Sequence, residues 1–239
     1  MKVAIQAAIK DIYEPYLSEW LNHHRSIGVD YFFLYDNESR IPLTADRSDM
    51  YVEKISDKIP QLRSYRKCLA DINSGALPFC DRVAFIDEDE FIICENNDIK
   101  ETLSEYAEFS ALGISWRVFG SSGLLAQTSE PQMKKFTHYV GPEADINNHI
   151  KSIVNPFLVK EALNPHYFSY TKGNCVNIDK VIIEEAFTKP IYRKLWINHY
   201  WTRSLEEWYI KVVRGRADSD DKRDLKMFDD LNSLCTEVL

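Results

Sequence analysis

An apolar strand pattern interrupted by four consecutive carboxylates constrains this chain more than any other feature. The run from Arg82 to Ile93 reads RVAFIDEDEFII. The apolar residues on both sides should draw the acids toward the core, where a carboxylate needs a cation. In an extended segment successive side chains point to opposite faces, so Asp87 and Asp89 are predicted to project together and Glu88 and Glu90 the other way. Two carboxylates on one side are half of a site for Mg²⁺ or Mn²⁺, and a solvated turn is the alternative.

Length, charge and cysteine usage narrow the class of protein. The chain has 239 residues, a hydrophobic content of 45% and a formal net charge of −8, which favours one globular α/β domain over residues 1–239. The negative charge argues against nucleic acid as a partner. The absence of a long apolar run predicts a cytoplasmic protein. Five scattered cysteines without CxxC spacing are interpreted as reduced.

The first half reads as a βαβ unit. Val3–Ile9 is a buried strand, a helix with Pro15 in its first turn ends at Gly28, and residues 30–35 form a second strand. A third strand near 51–55, a helix over 60–72 and a strand over 83–86 follow. The acidic run therefore lies at the carboxyl end of a strand, where open α/β sheets bind ligands. Residues 1–110 are predicted to bind a nucleotide.

The second half, residues 111–239, is less regular. A helix is predicted over 99–109 and a buried strand over 111–119, whereas residues 123–180 show no clear period. A strand over 196–201 then precedes Ser204-Leu-Glu-Glu207, a capping box that opens a helix.

Six short motifs, taken in order, resemble glycosyltransferases of the GT-A type, in particular family 92 and related family 2-like enzymes. The motifs are Tyr16-Leu17-x-Glu19-Trp20, Tyr35-Asp36-Asn37-x-Ser39, Ile86-Asp87-Glu88-Asp89-Glu90-Phe91, Phe119-Gly120-Ser121-Ser122-Gly123, Lys151-Ser152-Ile153 and Asn198-His199-Tyr200-Trp201-x-x-Ser204. The resemblance implies one GT-A-like domain, with a mixed, mostly parallel central sheet flanked by helices and a Rossmann-like first half. It also implies that the protein transfers a sugar with inversion from a nucleotide-sugar, a UDP-sugar such as UDP-galactose. The acceptor would be a hydroxyl of a saccharide or glycoconjugate in surface polysaccharide synthesis.

The resemblance assigns a metal site. Asp87 and Asp89 match the DxD motif, which holds Mn²⁺ or Mg²⁺ against the donor diphosphate. His199 matches a late motif whose histidine completes the metal shell in several GT-A enzymes. A packed core histidine is the alternative for His199, and His166 is a rival ligand.

Three residues at strand ends are assigned to the nucleotide. Similar enzymes contact uracil and ribose with the positions of Asp36 and Asn37, although an Asp-Asn pair equally suits an Asx turn. Ala7, near the end of the first strand, is expected to shape the base pocket.

Three further residues are assigned to the donor sugar and diphosphate. Gly120 and Ser121 follow a buried strand, and their small size would let the backbone approach the donor sugar or the acceptor. Lys151 and Arg203 could each offset the diphosphate charge, and a surface position without this role is the default interpretation for both. Trp116 could stack on a sugar or belong to the core.

Inversion requires a base that deprotonates the acceptor hydroxyl. Asp145 is the first choice in the irregular second half, followed by Glu143 and Glu130. His138 and His149 remain open as alternatives.

Two other functions stay open. Clustered carboxylates with a metal also suit a nucleotidyltransferase or phosphohydrolase, and a non-catalytic carbohydrate-binding relative could keep the architecture without turnover. The basic side chains Lys211, Arg214, Arg216, Lys222 and Arg223 could support peripheral contact with the inner face of a membrane, although a solvated helix end is simpler.

Overall fold

A ten-stranded sheet organises the molecule, and the computed structural model describes all of residues 1–239. The strands are β1 Val3–Ile9, β2 Tyr31–Asp36, β3 Met50–Lys54, β4 Arg82–Phe85, β5 Glu90–Cys94, β6 Ala111–Val118, β7 His138–Tyr139, β8 Ile150–Val154, β9 Val159–Ala162, β10 Phe168–Tyr170, β11 Cys175–Val176, β12 Ile182–Ile183, β13 Leu195–His199 and β14 Glu237–Val238. The helices are α1 Glu14–Ser26, α2 Pro60–Ser74, α3 Ile99–Ser104, α4 Gln132–Lys135, α5 Leu205–Arg214 and α6 Leu225–Leu234, with a 3₁₀ turn at Asp145–Asn148. None of the helices is both long and apolar enough to cross a bilayer.

The strand order is β12-β11-β6-β8-β4-β1-β2-β3, and β13 joins β6 to β5. Neighbours are parallel at β1–β2, β2–β3, β1–β4, β6–β11 and β6–β13. They are antiparallel where β8 meets β4 and β6, and where β5 meets β13. Two hydrophobic clusters divide the residues of β4, since Val83 and Phe85 belong to one cluster and Ala84 to the other. The predicted mixed, mostly parallel sheet flanked by helices is therefore confirmed.

The predicted βαβ start is present as β1, α1 and β2. Helix α1 ends before Gly28, whose φ of 100° is adopted without steric cost only by glycine. The indole Nε1 of Trp20 donates to the Glu90 carbonyl oxygen at 2.7 Å. This bond fixes α1 against the first residue of β5, so a residue of the first motif supports the acidic run directly.

Two predictions of secondary structure are wrong. Strand β8, in the segment predicted to be loop-rich, lies between β4 and β6 with every residue buried. Burial on both faces removes the alternation that marks a half-exposed strand, and the polar pair Lys151-Ser152 hides the apolar run. The helix predicted over 99–109 stops at Ser104. Beyond it the backbone forms turns in which an N–H donates to the carbonyl oxygen three residues earlier.

Candidate active site

The acidic run forms a buried turn between β4 and β5. The backbone N–H of Glu90 donates to the carbonyl oxygen of Asp87 at 3.1 Å, which closes the turn. The prediction of an extended segment with alternating faces is therefore wrong. Asp87, Glu88 and Asp89 all line one cavity, whereas Glu90 begins β5 and is fully buried.

This cavity has a volume of ≈ 310 Å³ and lies at the carboxyl ends of β1 and β4. On the β1–β2 side it is lined by Ile9, Asn37 and Gln61, the last from the first turn of α2. On the β6 side it is lined by Trp116 and by the imidazoles of His149, His166 and His199. The acidic turn lies between these groups in the sheet order, so one cavity joins the strand-end residue Asn37, predicted to contact the nucleotide, to an aromatic wall.

Asp87 is the more accessible carboxylate of the turn, with one third of its side chain exposed (33%). It accepts hydrogen bonds from Gln61 Nε2 at 2.8 Å and from Lys151 Nζ at 3.0 Å. Lys151 lies on β8 and is buried, and its Nζ also lies 3.5 Å from Glu90 Oε2. Burial alone would lower the pKa of Lys151, but Asp87 and Glu90 outweigh it and raise the pKa, so the ammonium is held charged.

Asp89 is buried beside Lys211 and His199. Lys211 Nζ donates to Asp89 Oδ2 at 2.5 Å, and His199 Nε2 lies 3.4 Å from Asp89 Oδ1. Burial alone would raise the pKa of Asp89, but Lys211 and His199 outweigh it and hold the pKa well below its usual range. His199 rather than His166 is thus the histidine at the acidic turn.

Sequence reasoning placed Lys211 on a solvated or membrane-facing surface, and this is wrong because Lys211 is 4% exposed. The helical spacing of Lys211 relative to Glu207 and Trp208 could have indicated its burial, because these three are the buried residues of α5. Lysine at such a position is easily taken for the polar edge of an amphipathic helix.

Three of the other basic side chains proposed for membrane contact also line the cavity: Arg214, Arg216 and Arg223. The segment that carries them folds back over α2, since Gln61 N donates to the Ala217 carbonyl oxygen at 3.2 Å. Arg223 Nε is buried without a hydrogen-bond partner. Arg214 Nη1 lies 3.7 Å from Glu88 Oε1, so positive charge lies directly beside the acidic turn.

The acidic turn supplies some of the donors that a divalent cation prefers. No group of three or more His, Cys, Asp or Glu side chains is arranged as a metal site. Mg²⁺ and Mn²⁺ are, however, commonly held by one or two carboxylates together with water and substrate phosphates. Asp87, Asp89 and His199 line the cavity, and Asp89 and His199 already face each other, so this donor set fits a partial metal shell.

The residues predicted to bind the nucleotide differ in whether they reach the cavity. Asn37 lines the cavity, as does Ala8, whereas Ala7 is fully buried and lies outside its wall. The Asp36 carboxylate accepts from the backbone N–H groups of Ser39 and Leu43, both at 3.0 Å. Asp36 thus binds the backbone of the loop that follows its strand and shapes the loop behind Asn37.

Gly120 and Ser121 pack against α6 instead of lining the cavity. A Cβ on Gly120 would lie 2.6 Å from both Asn232 Oδ1 and Cys235 Sγ. Ser121 Oγ donates to Asn232 Oδ1 at 2.8 Å. The small residues of this motif therefore allow α6 to approach the end of β6.

Asp145 is exposed at the start of the 3₁₀ turn and lies outside the cavity wall. Ile146 and His149, from the same turn and just after it, do line the cavity. The predicted base thus lies near the site in sequence, but its carboxylate has no contact there.

A Rossmann-like start, an acidic turn at a strand end and a cavity with basic walls define an α/β protein with a charged site at its strand ends, and the comparisons specify its family. The family model of glycosyltransferase family 92 matches residues 61–227. The chain belongs to glycosyltransferase family 92, which confirms the family that the sequence predicted.

Relatives and one solved structure show similar coverage of this chain. It is 27% identical over 249 residues to a glycosyltransferase family 92 protein of Ricinus communis, and the match covers 94% of this chain and 40% of the relative. A family 92 protein of Arabidopsis thaliana is 26% identical over 246 residues, with 94% and 40% covered. The chain thus spans about 40% of the length of these relatives. The crystal structure of residues 1–349 of S. aureus TarS matches with a TM-score of 0.44 and 15% identity, covering 84% of this chain and 61% of that one.

Proposed function

We propose that this protein is a metal-dependent glycosyltransferase that moves a sugar, with inversion, from a UDP-linked donor to a hydroxyl of a saccharide or glycoconjugate. The observation that supports this most is the acidic turn, which lies in one cavity with the strand-end residue Asn37 and with cationic side chains. Family 92 membership supports the general class of reaction. Surface polysaccharide synthesis and a UDP-galactose donor are part of the same proposal.

The nucleoside is proposed to bind on the β1–β2 side of the cavity. Ile9 and Asn37 end neighbouring parallel strands there, and the Asn37 backbone N–H donates to the Ile9 carbonyl oxygen at 2.8 Å. Asn37 Oδ1 accepts from the Asp57 backbone N–H at 3.2 Å, which orients the amide. The Asn37 NH₂ group remains able to donate to an acceptor on uracil or ribose.

The diphosphate is proposed to lie between the acidic turn and the basic segment after α5. Asp87, Asp89 and His199 would hold the divalent cation, which supplies Lewis-acid stabilisation of the negative charge on the leaving diphosphate. Arg214 and Arg223 line the same cavity and would offset that charge as well. Lys151 and Lys211 hold the two carboxylates in place by hydrogen bonds.

The test is thermal unfolding with UDP, with and without Mn²⁺. A ligand that binds only the folded state at a hundred times its Kd stabilises it by about 2.7 kcal/mol. We expect Mn²⁺ and UDP together to raise the Tm more than the sum of their separate effects, because each completes the other's site. Equal shifts by UDP with and without Mn²⁺ would contradict metal dependence.

Asp87→Asn is the sharper variant, because Asp87 is partly exposed and its loss leaves Lys151 paired with Glu90. It should fold and lose the cooperative shift, whereas the exposed control Asp229→Asn should keep it. Asp89→Asn is a poorer test, since it strands the buried Lys211. Release of UMP rather than UDP from UDP-galactose would point to a nucleotidyltransferase or phosphohydrolase instead.

A further inference from the structure

Three imidazoles surround Trp116, and the proposed function uses only one of them. The Trp116 ring centroid lies 4.9 Å from that of His149 with nearly parallel planes (21°). It lies 5.0 Å from His166 and 4.4 Å from His199. With Trp116 itself only 9% exposed, its faces are covered by these rings rather than open to a sugar.

The hydrogen bonds of His149 and His166 define their tautomers. Nδ1 of His149 lies 3.0 Å from the Ile146 carbonyl oxygen, and Nδ1 of His166 lies 2.8 Å from that of Ile150. A carbonyl oxygen can only accept, so each Nδ1 carries the hydrogen and each Nε2 of the neutral ring presents a lone pair.

The Nε2 atom of His149 is free to accept a proton from a ligand. No protein group is hydrogen-bonded to it, and it is not among the buried atoms without a partner. His149 lines the same cavity as the acidic turn. Trp116 contacts both the ring of His149 and that of His199, the histidine at the acidic turn.

We propose that His149 is the general base of the transfer, an inference that rests on the proposed function. Its Nε2 takes the proton of the acceptor hydroxyl while the hydroxyl oxygen forms a bond to C1 of the donor sugar. The bond between C1 and the diphosphate oxygen breaks, and its electron pair leaves with UDP. The proton then passes from His149 to solvent. Trp116 is a positioning residue that holds the imidazole by stacking.

The surroundings favour His149 over its two rivals. The titratable and charged groups that act on it are His199 and Lys151, with His166 as a ring neighbour 5.1 Å away. Burial lowers the pKa of His149, so its ring is neutral near pH 7. His166 is more strongly affected, because deeper burial and then Lys151 hold its pKa well below the usual value and oppose its protonation. Asp145 is exposed outside the cavity.

The experiment compares variants in Mn²⁺-dependent release of UDP from UDP-galactose, with lactose or water as the acceptor. We expect His149→Gln to lower kcat by about a hundredfold or more, with KM for UDP-galactose and the Tm shift caused by Mn²⁺ and UDP unchanged. Asp145→Asn, at a residue outside the cavity wall, is the matched control and should retain kcat within about threefold of the wild type. His166→Gln tests the rival histidine. His149→Ala provides a second variant, whose rate added imidazole should restore because it replaces the missing base.

Each result decides between stated alternatives. A His149→Gln enzyme with wild-type kcat overturns the assignment, as does a loss of kcat confined to Asp145→Asn or His166→Gln. A loss of donor binding in both His149 variants would also overturn it, because it would show that His149 acts on the donor. If the wild type itself shows no cooperative shift with Mn²⁺ and UDP, the proposed function has failed instead.

Discussion

Lys151 and Lys211 are the residues that determine the charge of the site. Each places an ammonium in the protein interior against one carboxylate of the acidic turn, at 3.0 Å from Asp87 and 2.5 Å from Asp89. Lysine is rarely buried unless it is paired, so both depend on the acids as much as the acids depend on them. The carboxylates are thereby fixed in place within the cavity without a ligand.

Removing Lys151 should destabilise the protein strongly. Lys151→Met leaves Asp87 and the fully buried Glu90 without the ammonium that they share, and breaking a buried ion pair on one side costs about 3–5 kcal/mol. Urea unfolding at pH 7 measures this loss. The exposed strand residue Lys160, changed to Met, is the control and should stay within about 0.5 kcal/mol of the wild type. A similar small loss for Lys151→Met would mean that the ammonium is not buried between the acids.

Helix α5 carries a side chain that contacts the acidic turn. Ser204 and Glu207 form its capping box, with both reciprocal hydrogen bonds present as the sequence predicted. One turn further on, the same helix directs Lys211 to Asp89. The cap therefore affects the site through the position of the helix.

Removing this cap should affect both stability and donor binding. Ser204→Ala is expected to cost about 1 kcal/mol of unfolding free energy, as for other N-caps. Asp224→Ala removes the N-cap of α6 and should cost a similar amount. Only Ser204→Ala should weaken UDP binding in the presence of Mn²⁺, measured by titration calorimetry. Equal binding in the two variants would show that α5 is held by its packing alone.

Elements with a clear period were predictable, whereas the contacts of the site were not. The helix that starts near Pro60 and the strand that precedes Asp87 follow from apolar spacing. Strand β8 escaped detection because central strands lose their alternation. The contact from Lys211 to Asp89 joins residues 122 positions apart, and no local pattern encodes it. The acidic run was recognised as important, but the prediction of its backbone conformation was wrong, because turn-forming residues such as Gly or Pro are absent from it.

At the scale of the whole molecule, Asp30 ties several elements together. Its carboxylate accepts from the Val3 backbone N–H and from Lys100 Nζ, both at 2.9 Å, and also from Lys2. These contacts join the start of β1, the approach to β2 and helix α3. Burial alone would raise the pKa of Asp30, but these hydrogen bonds and charges outweigh it and lower the pKa.

Stability should therefore depend on pH through this residue. The folded-state pKa of Asp30 is below the unfolded value of about 3.9, so its contribution is fully present above that value and is lost as the pH falls through the folded pKa. We expect Asp30→Asn to lose about 1.5 kcal/mol at pH 7 and to approach the wild type as the pH falls below 4. Urea unfolding over this pH range tests it, and a difference that is constant with pH would exclude the linkage.

The position of β8 between β4 and β6 has a consequence for how the chain is made. Val83 of β4 pairs with Val154, so the edge of β4 stays open until that residue has been synthesised. At translation rates of roughly 5–20 residues per second, the nascent chain waits several seconds with an apolar strand edge exposed. Until β8 is in place, the first half therefore presents a strand edge that is open to pairing with another chain.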